Sequence, residues 1–173
     1  MIREHEIPSS YIDKSDELKA NTIDTLNGLI ETCQDGYEGF REAADGVKDG
    51  NLKAIFTKYS NQRAGYESEL QGLVTGLGSK PEHSGSLSAT LHRGWMDIKA
   101  AIAGNDDAAI LNECERGEDT AKKAYQEALK QNLPDYVGMA LQSQYDGVLA
   151  SHDHIKSLRD SYNQKANAVR RAH

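Results

Sequence analysis

Four carboxylates and one histidine stand out as groups that could do chemistry: Glu38, Glu67, Glu115, Glu118 and His152. Each lies on or beside the apolar stripe of a helical segment, where a charge must pair, ligate a metal or neutralise itself. A carboxylate-rich, histidine-poor set suits hard or borderline divalent cations such as Fe or Mn. If active, such a centre would handle O₂ or peroxide. Arg63 occupies a stripe position in the same region and offers a different resident cation, paired to Glu67, Glu118 or Glu38, with His152 hydrogen-bonded to Glu115. Two-metal bundle sites take one Glu from each of two helices and Glu-x-x-His from each of the other two. That spacing is absent here. The chain has Glu115-x-x-Glu118 instead, while Gln144 and His152 are at the wrong interval for a shared pair.

The elements that must position these groups are helices. Ile23, Leu26, Ile30, Cys33, Tyr37, Phe40, Ala44 and Val47 recur in alternating steps of three and four, so a helix is expected over 16–49. Ser15 is a plausible cap, Gly50 a stop, and Asn51 a cap for the next helix. Residues 52–77 carry Leu52, Ile55, Phe56, Tyr59, Arg63, Tyr66, Leu70, Leu73 and Leu77 on one stripe. The turn between these two segments is short, so they form an antiparallel hairpin.

Residues 78–85 read as loop and 86–103 as a shorter helix with Leu87, Leu91, Trp95, Ile98, Ala101 and Ile102 on one side. Gly104 ends it. Residues 107–131, with Ile110, Leu111, Cys114, Ala121, Tyr125 and Leu129, and 134–165, with Val137, Leu141, Gln144, Val148, Ile155, Leu158 and Tyr162, form a second hairpin through Asn132 and Pro134. Residues 1–15 read as a flexible lead-in, because Pro8, Ser9 and Ser10 disfavour helix, and 166–173 as a basic tail.

Two hairpins burying their seams on each other give an all-α four-helix bundle. The connector is long enough to travel back along it, which would make the second and third long helices parallel; if its short helix only packs across one end, an up-down bundle results. The single long crossover, carrying a short extra helix, is the ferritin-like arrangement. Counting from the turns near 50 and 133 puts position 38 level with about 62, and 115 with about 151; the parallel pair aligns about 64 with about 118. The charged groups therefore converge on one mid-bundle layer.

The remaining singled-out residues have bland roles open beside sharp ones. Trp95 is suited to staple the connector to the bundle; His83, His92 and His154 suit the surface. Tyr37, Tyr59, Tyr66, Tyr125 and Tyr162 suit core packing with tethered hydroxyls, with a redox tyrosine beside a metal as the alternative. Cys33 and Cys114 are far apart, lack a CxxC partner and read as reduced core residues.

Composition limits the partners. The chain has 173 residues and a net charge of −7, with pI near 5.3 and mean hydropathy −0.69. That balance argues against nucleic-acid binding. No run is long and apolar enough to span a membrane, and Met1–Ser10 lacks the apolar core of a secretory signal, so a cytoplasmic location is expected. A homo-oligomer, with a dimer favoured, or another protein partner fits an amphipathic bundle. Whether the chain is an enzyme stays open.

Several strings together resemble a family of uncharacterised bacterial ferritin-like proteins, described as a domain of unknown function. They are Asp35-Gly36-Tyr37, Glu42-Ala43-Ala44, Gln62-Arg63, Glu69-Leu70-Gln71, His92-Arg93-Gly94-Trp95, Glu113-Cys114-Glu115-Arg116-Gly117-Glu118-Asp119 and Tyr125, within residues 18–130. The resemblance implies a ferritin-like bundle of the bacterial cytoplasm, linked with stress physiology, and implies no established reaction; with the charged layer, the leading reading is a metal-handling stress protein. The rival reading is a non-catalytic interaction module whose polar layer fixes helix register.

Overall fold

The computed structural model describes residues 9–82 and 94–173. Five helices follow one another: α1 Ser9–Gly46, α2 Gly50–Gly76, α3 Ile98–Ala103, α4 Asp107–Leu129 and α5 Asp135–Arg171. Among the described residues there is no strand. Helix α1 packs on α2 and α4, and α5 packs on α4 and α2, which closes a four-helix ring; α3 lies against α1 and α4.

Two hydrogen-bonded corners set the directions. At one end the Asp107 carboxylate, in the first turn of α4, accepts the N–H groups of Lys48 and Asp49 at 3.0 Å each, across from the α1–α2 turn. At the other end Asn21 Nδ2 in α1 donates to the Asn132 carbonyl beyond α4. So α4 starts where α2 starts, and the two run parallel. The chain must cross the full length of the bundle between Leu77 and Asp107. This is the long crossover of the ferritin-like fold.

The α1–α2 turn is capped by Asp49, not by Asn51. Its Oδ1 accepts from Asn51 N at 2.8 Å and Leu52 N at 3.3 Å, satisfying donors that a helix start leaves open. Its Oδ2 accepts from the Tyr162 hydroxyl of α5. These bonds, the tyrosine's first, hold the Asp49 carboxyl below the usual carboxylate range. A carboxyl depressed on folding stabilises the native state above its unfolded pKa, about 3.9, and loses that contribution as pH falls through the lower folded value. Asp49→Asn is therefore expected to lessen the loss of stability below about pH 4, measured by denaturant unfolding across an acid series. An identical acid dependence in the variant would contradict this role.

Three boundaries differ from the sequence expectation. Helix α1 begins at Ser9 rather than near 16, since the first N–H groups of a helix have no acceptor to lose and nearby proline and serines do not oppose a start. Helix α5 runs on to Arg171, so most of the basic tail is helical, with Arg170 and Arg171 in its last turn, where cations favour the dipole. The connector helix is six residues, not eighteen: Gly94 at φ +94° interrupts helical backbone, and 94–97 are turns. Residues 86–93, with Leu87 and Leu91, lie outside the described residues, as do His83 and His92.

Trp95 does staple the connector. It is 2% exposed and meets Phe40 edge-on at 4.9 Å between ring centroids. Two apolar clusters fill the bundle on either side of its middle. One holds Phe40, Leu52, Phe56, Trp95, Ile110 and Ile155; the other holds Leu26, Ile30, Leu70, Val74, Leu141 and Val148. Cys114 belongs to the first and Cys33 to the second, both as free thiols. Burial pushes the Cys33 thiol up to about 11 and the Cys114 thiol well above its ordinary value, so neither is a poised nucleophile.

Candidate functional site

Between the two apolar clusters the bundle carries a buried polar layer centred on Arg63, the largest fully buried side chain among the described residues. Its guanidinium comes from α2 and pairs through Nη2 with the Glu118 carboxylate of α4. Both side chains are 1% exposed. Ser151 on α5 completes the layer. Its hydroxyl lies 2.9 Å from Arg63 Nη2 and donates to the second Glu118 oxygen. Arg63 Nη1 donates to Gln62 Oε1 at 3.0 Å, while Nε has no protein partner.

Local sequence makes the room. A Cβ at Gly36 on α1 would stand 3.1 Å from Arg63 Cγ, so a glycine there leaves space for the arginine stem. The Phe40 and Tyr66 rings flank the guanidinium at 5.9 and 6.0 Å. Burial by itself would lower the arginine's pKa, but the adjoining Glu118 carboxylate and its hydrogen bond outweigh that and hold it above the usual value. Arg63 stays a cation.

A second buried chain runs beside it. The Tyr125 hydroxyl donates to Gln144 Oε1 at 2.6 Å and lies 3.1 Å from Cys33 Sγ. Gln144 Nε2 donates onward to Glu69 Oε2 at 3.1 Å. Burial raises the Tyr125 pKa far above that of a free phenol. Its hydroxyl is therefore a fixed donor, tethered as expected of a core tyrosine.

The other expected ligands go elsewhere. Glu38 is half-buried on α1, and Glu67, half-buried on α2, accepts from Gln71 Nε2 at 3.1 Å. Glu115 is held by Arg159 Nη1 at 2.8 Å. His152, 5% exposed, does not bond Glu115; its Nε2 is 2.6 Å from Asp119 Oδ1 and its Nδ1 is 3.1 Å from Asp153 Oδ1. Of the six groups expected in one layer, Arg63 and Glu118 meet there, and Ser151 joins them in place of His152.

The azimuths were the weaker part of the reading. Glu115 and Glu118, three apart, straddle the seam, so only Glu118 enters the core. Glu115 and Asp119, four apart, differ by only about 40° and share the flank that faces α5. The i+4 spacing of Asp119 from Glu115 is the sequence signal for that shared flank. Ser151 carried no signal beyond its level.

The donor set does not fit a two-metal bundle centre. Such a centre needs several carboxylates and imidazoles aimed inward. Here the layer has one buried carboxylate, and a guanidinium sits against it.

Residues 21–131 match the family described as "Domain of unknown function (DUF2383)". Among solved structures the chain is similar to a two-domain protein from Anabaena variabilis that contains DJ-1/ThiJ/PfpI-like and ferritin-like domains, with a TM-score of 0.68 and 19% identity. The alignment covers 83% of this chain and 40% of that protein. At this identity the likeness concerns the fold, an all-helical ferritin-like bundle. No curated protein matches the chain. No helix among the described residues is long and apolar enough to cross a membrane.

Proposed function

Since the chain belongs to the family described as a domain of unknown function (DUF2383), we propose that its ferritin-like bundle serves as a helical association scaffold rather than as a two-metal oxidase or storage centre. The observation that carries this reading is the Arg63–Glu118–Ser151 layer, in which a guanidinium supplies the positive charge that metals supply elsewhere. A buried pair of this kind fixes which helix levels meet, because any slip strands one charge in apolar surroundings. The Fe or Mn role expected of Glu38, Glu67, Glu115, Glu118 and His152 as one centre draws no support from a layer so occupied.

The partner we favour is a second copy of the chain. Tyr136 and Met139, 54% and 74% exposed, sit one turn apart at the start of α5. Met139 borders an open groove with Leu129, Leu133 and Pro134, beside the polar Asp135 and Gln142. Apolar residues clustered at a groove are the ordinary seed of a self-complementary interface. Sedimentation velocity is expected to give a dimer across the micromolar range, and Met139→Glu to shift it towards monomer. A wild-type chain that stays monomeric throughout that range would overturn the choice of partner.

A further inference from the structure

The one place where described metal-ligating groups gather lies outside the buried layer, on the flank between α4 and α5. One donor atom each from Glu115, Asp119 and His152 fall within 4.8 Å of one another. Glu115 and Asp119 are successive turns of α4, and His152 reaches them from α5. We propose that these three residues bind a single divalent first-row transition ion, with solvent in its remaining positions.

The hydrogen bonding of His152 points to a cation there. Both ring nitrogens face carboxylate oxygens, Nε2 that of Asp119 at 2.6 Å and Nδ1 that of Asp153 at 3.1 Å. A neutral imidazole carries one N–H and satisfies only one of them, whereas a doubly protonated or a metal-bound ring satisfies both. With an ion at Nε2, Nδ1–H donates to Asp153, while Nε2 and Asp119 become ligands of the same metal. This is the carboxylate–histidine–metal relay that orients ligating imidazoles. His152 is buried and fixed, whereas the Asp119 side chain is 56% exposed and free to move the short distance that closes the cluster onto an ion. Metal–ligand bonds of about 2.0–2.2 Å need that adjustment.

The surrounding charges are mixed: Glu115, Asp119, Asp153 and Asp160 are acidic, Arg159 holds Glu115 Oε2 and Asp160 Oδ1 at 2.8 Å each, and Lys156 lines one groove with Asp153 and Asp160. Two carboxylates and one imidazole select Zn, Co, Fe or Mn over Mg or Ca, which prefer oxygen donors alone.

Equilibrium dialysis of the full chain against Zn(II), Co(II) and Mn(II), with Mg(II) as the control, tests the site. The expected result is one Zn or Co ion per chain, with visible d–d bands for Co(II), and no comparable Mg(II) binding. Asp119→Asn changes an exposed side chain and should abolish retention while leaving the fold intact. His152→Ala should do the same, and Asp153→Asn should weaken binding about 10–100-fold. The proposal is overturned if the wild-type chain holds no stoichiometric ion, if Mg(II) binds as well as Zn(II), or if the ion survives both Asp119→Asn and His152→Ala.

Discussion

Replacing Arg63 with alanine is expected to lower the free energy of unfolding by about 3–5 kcal/mol, the range seen when one partner of a buried ion pair is removed. Glu118 would be left charged, 1% exposed, with Ser151 as its one remaining partner in the layer. The full magnitude applies because neither side chain is screened by solvent. Denaturant unfolding followed by circular dichroism measures it. Removing both charges, in Arg63→Leu with Glu118→Leu, should recover most of the loss, since a buried pair replaced by apolar residues is often neutral or stabilising. A wild-type midpoint for Arg63→Ala would contradict the assignment of the layer.

Gly117→Ala should have an effect of similar size by a different route. A Cβ at Gly117 on α4 would lie 2.1 Å from Trp95 Cε2, and one at Gly39 on α1 would lie 2.2 Å from Trp95 Cδ2. The indole is thus clamped between two helix backbones that carry no side chain at the contact. Neither helix is free to retreat, because α1 is tied to α2 and α4 to α5 through their hairpins. The added methyl must expel the ring, and loss of a buried tryptophan's packing costs about 3–5 kcal/mol. Trp95 is the sole tryptophan, so its emission reports the event directly. The expected result is a red-shifted maximum in the native state with a lowered unfolding midpoint, and Gly39→Ala should reproduce it. An unchanged spectrum and midpoint would remove the clamp from the account.

Most of the architecture was legible because it follows from period and length. The three–four stepping from Ile23 to Val47, and its counterparts, placed four long helices in the bundle. Hairpin turns at Gly46–Gly50 and Leu129–Asp135 set relative levels that left Glu67, Glu118 and Glu38 open as partners of Arg63, and the packing selects Glu118. Connector length admitted either a long crossover or an up-down bundle, and the Asp107 and Asn132 corners decide for the crossover. What escaped were features that depend on azimuth or on close approach. Glu115 was read inward with Glu118, whereas a rotation of roughly 60° separates them and sends Glu115 to Arg159. Gly36, Gly39 and Gly117 add nothing to the apolar period; their value lies in a neighbouring indole and an arginine stem that only packing reveals. Asp49 and Asp107 form one corner from separate hairpins, a contact that neither local sequence announces.

An arginine–glutamate pair fills the middle of this bundle. Elemental analysis after anaerobic Fe(II) loading and desalting of the wild-type chain, Glu118→Gln and Asp119→Asn reads whether metal also enters there. The expected result is at most one ion per chain, retained in Glu118→Gln, where the neutral amide still accepts from Arg63, and lost in Asp119→Asn. Two ions per chain that disappear in Glu118→Gln would instead put a two-metal centre in the layer.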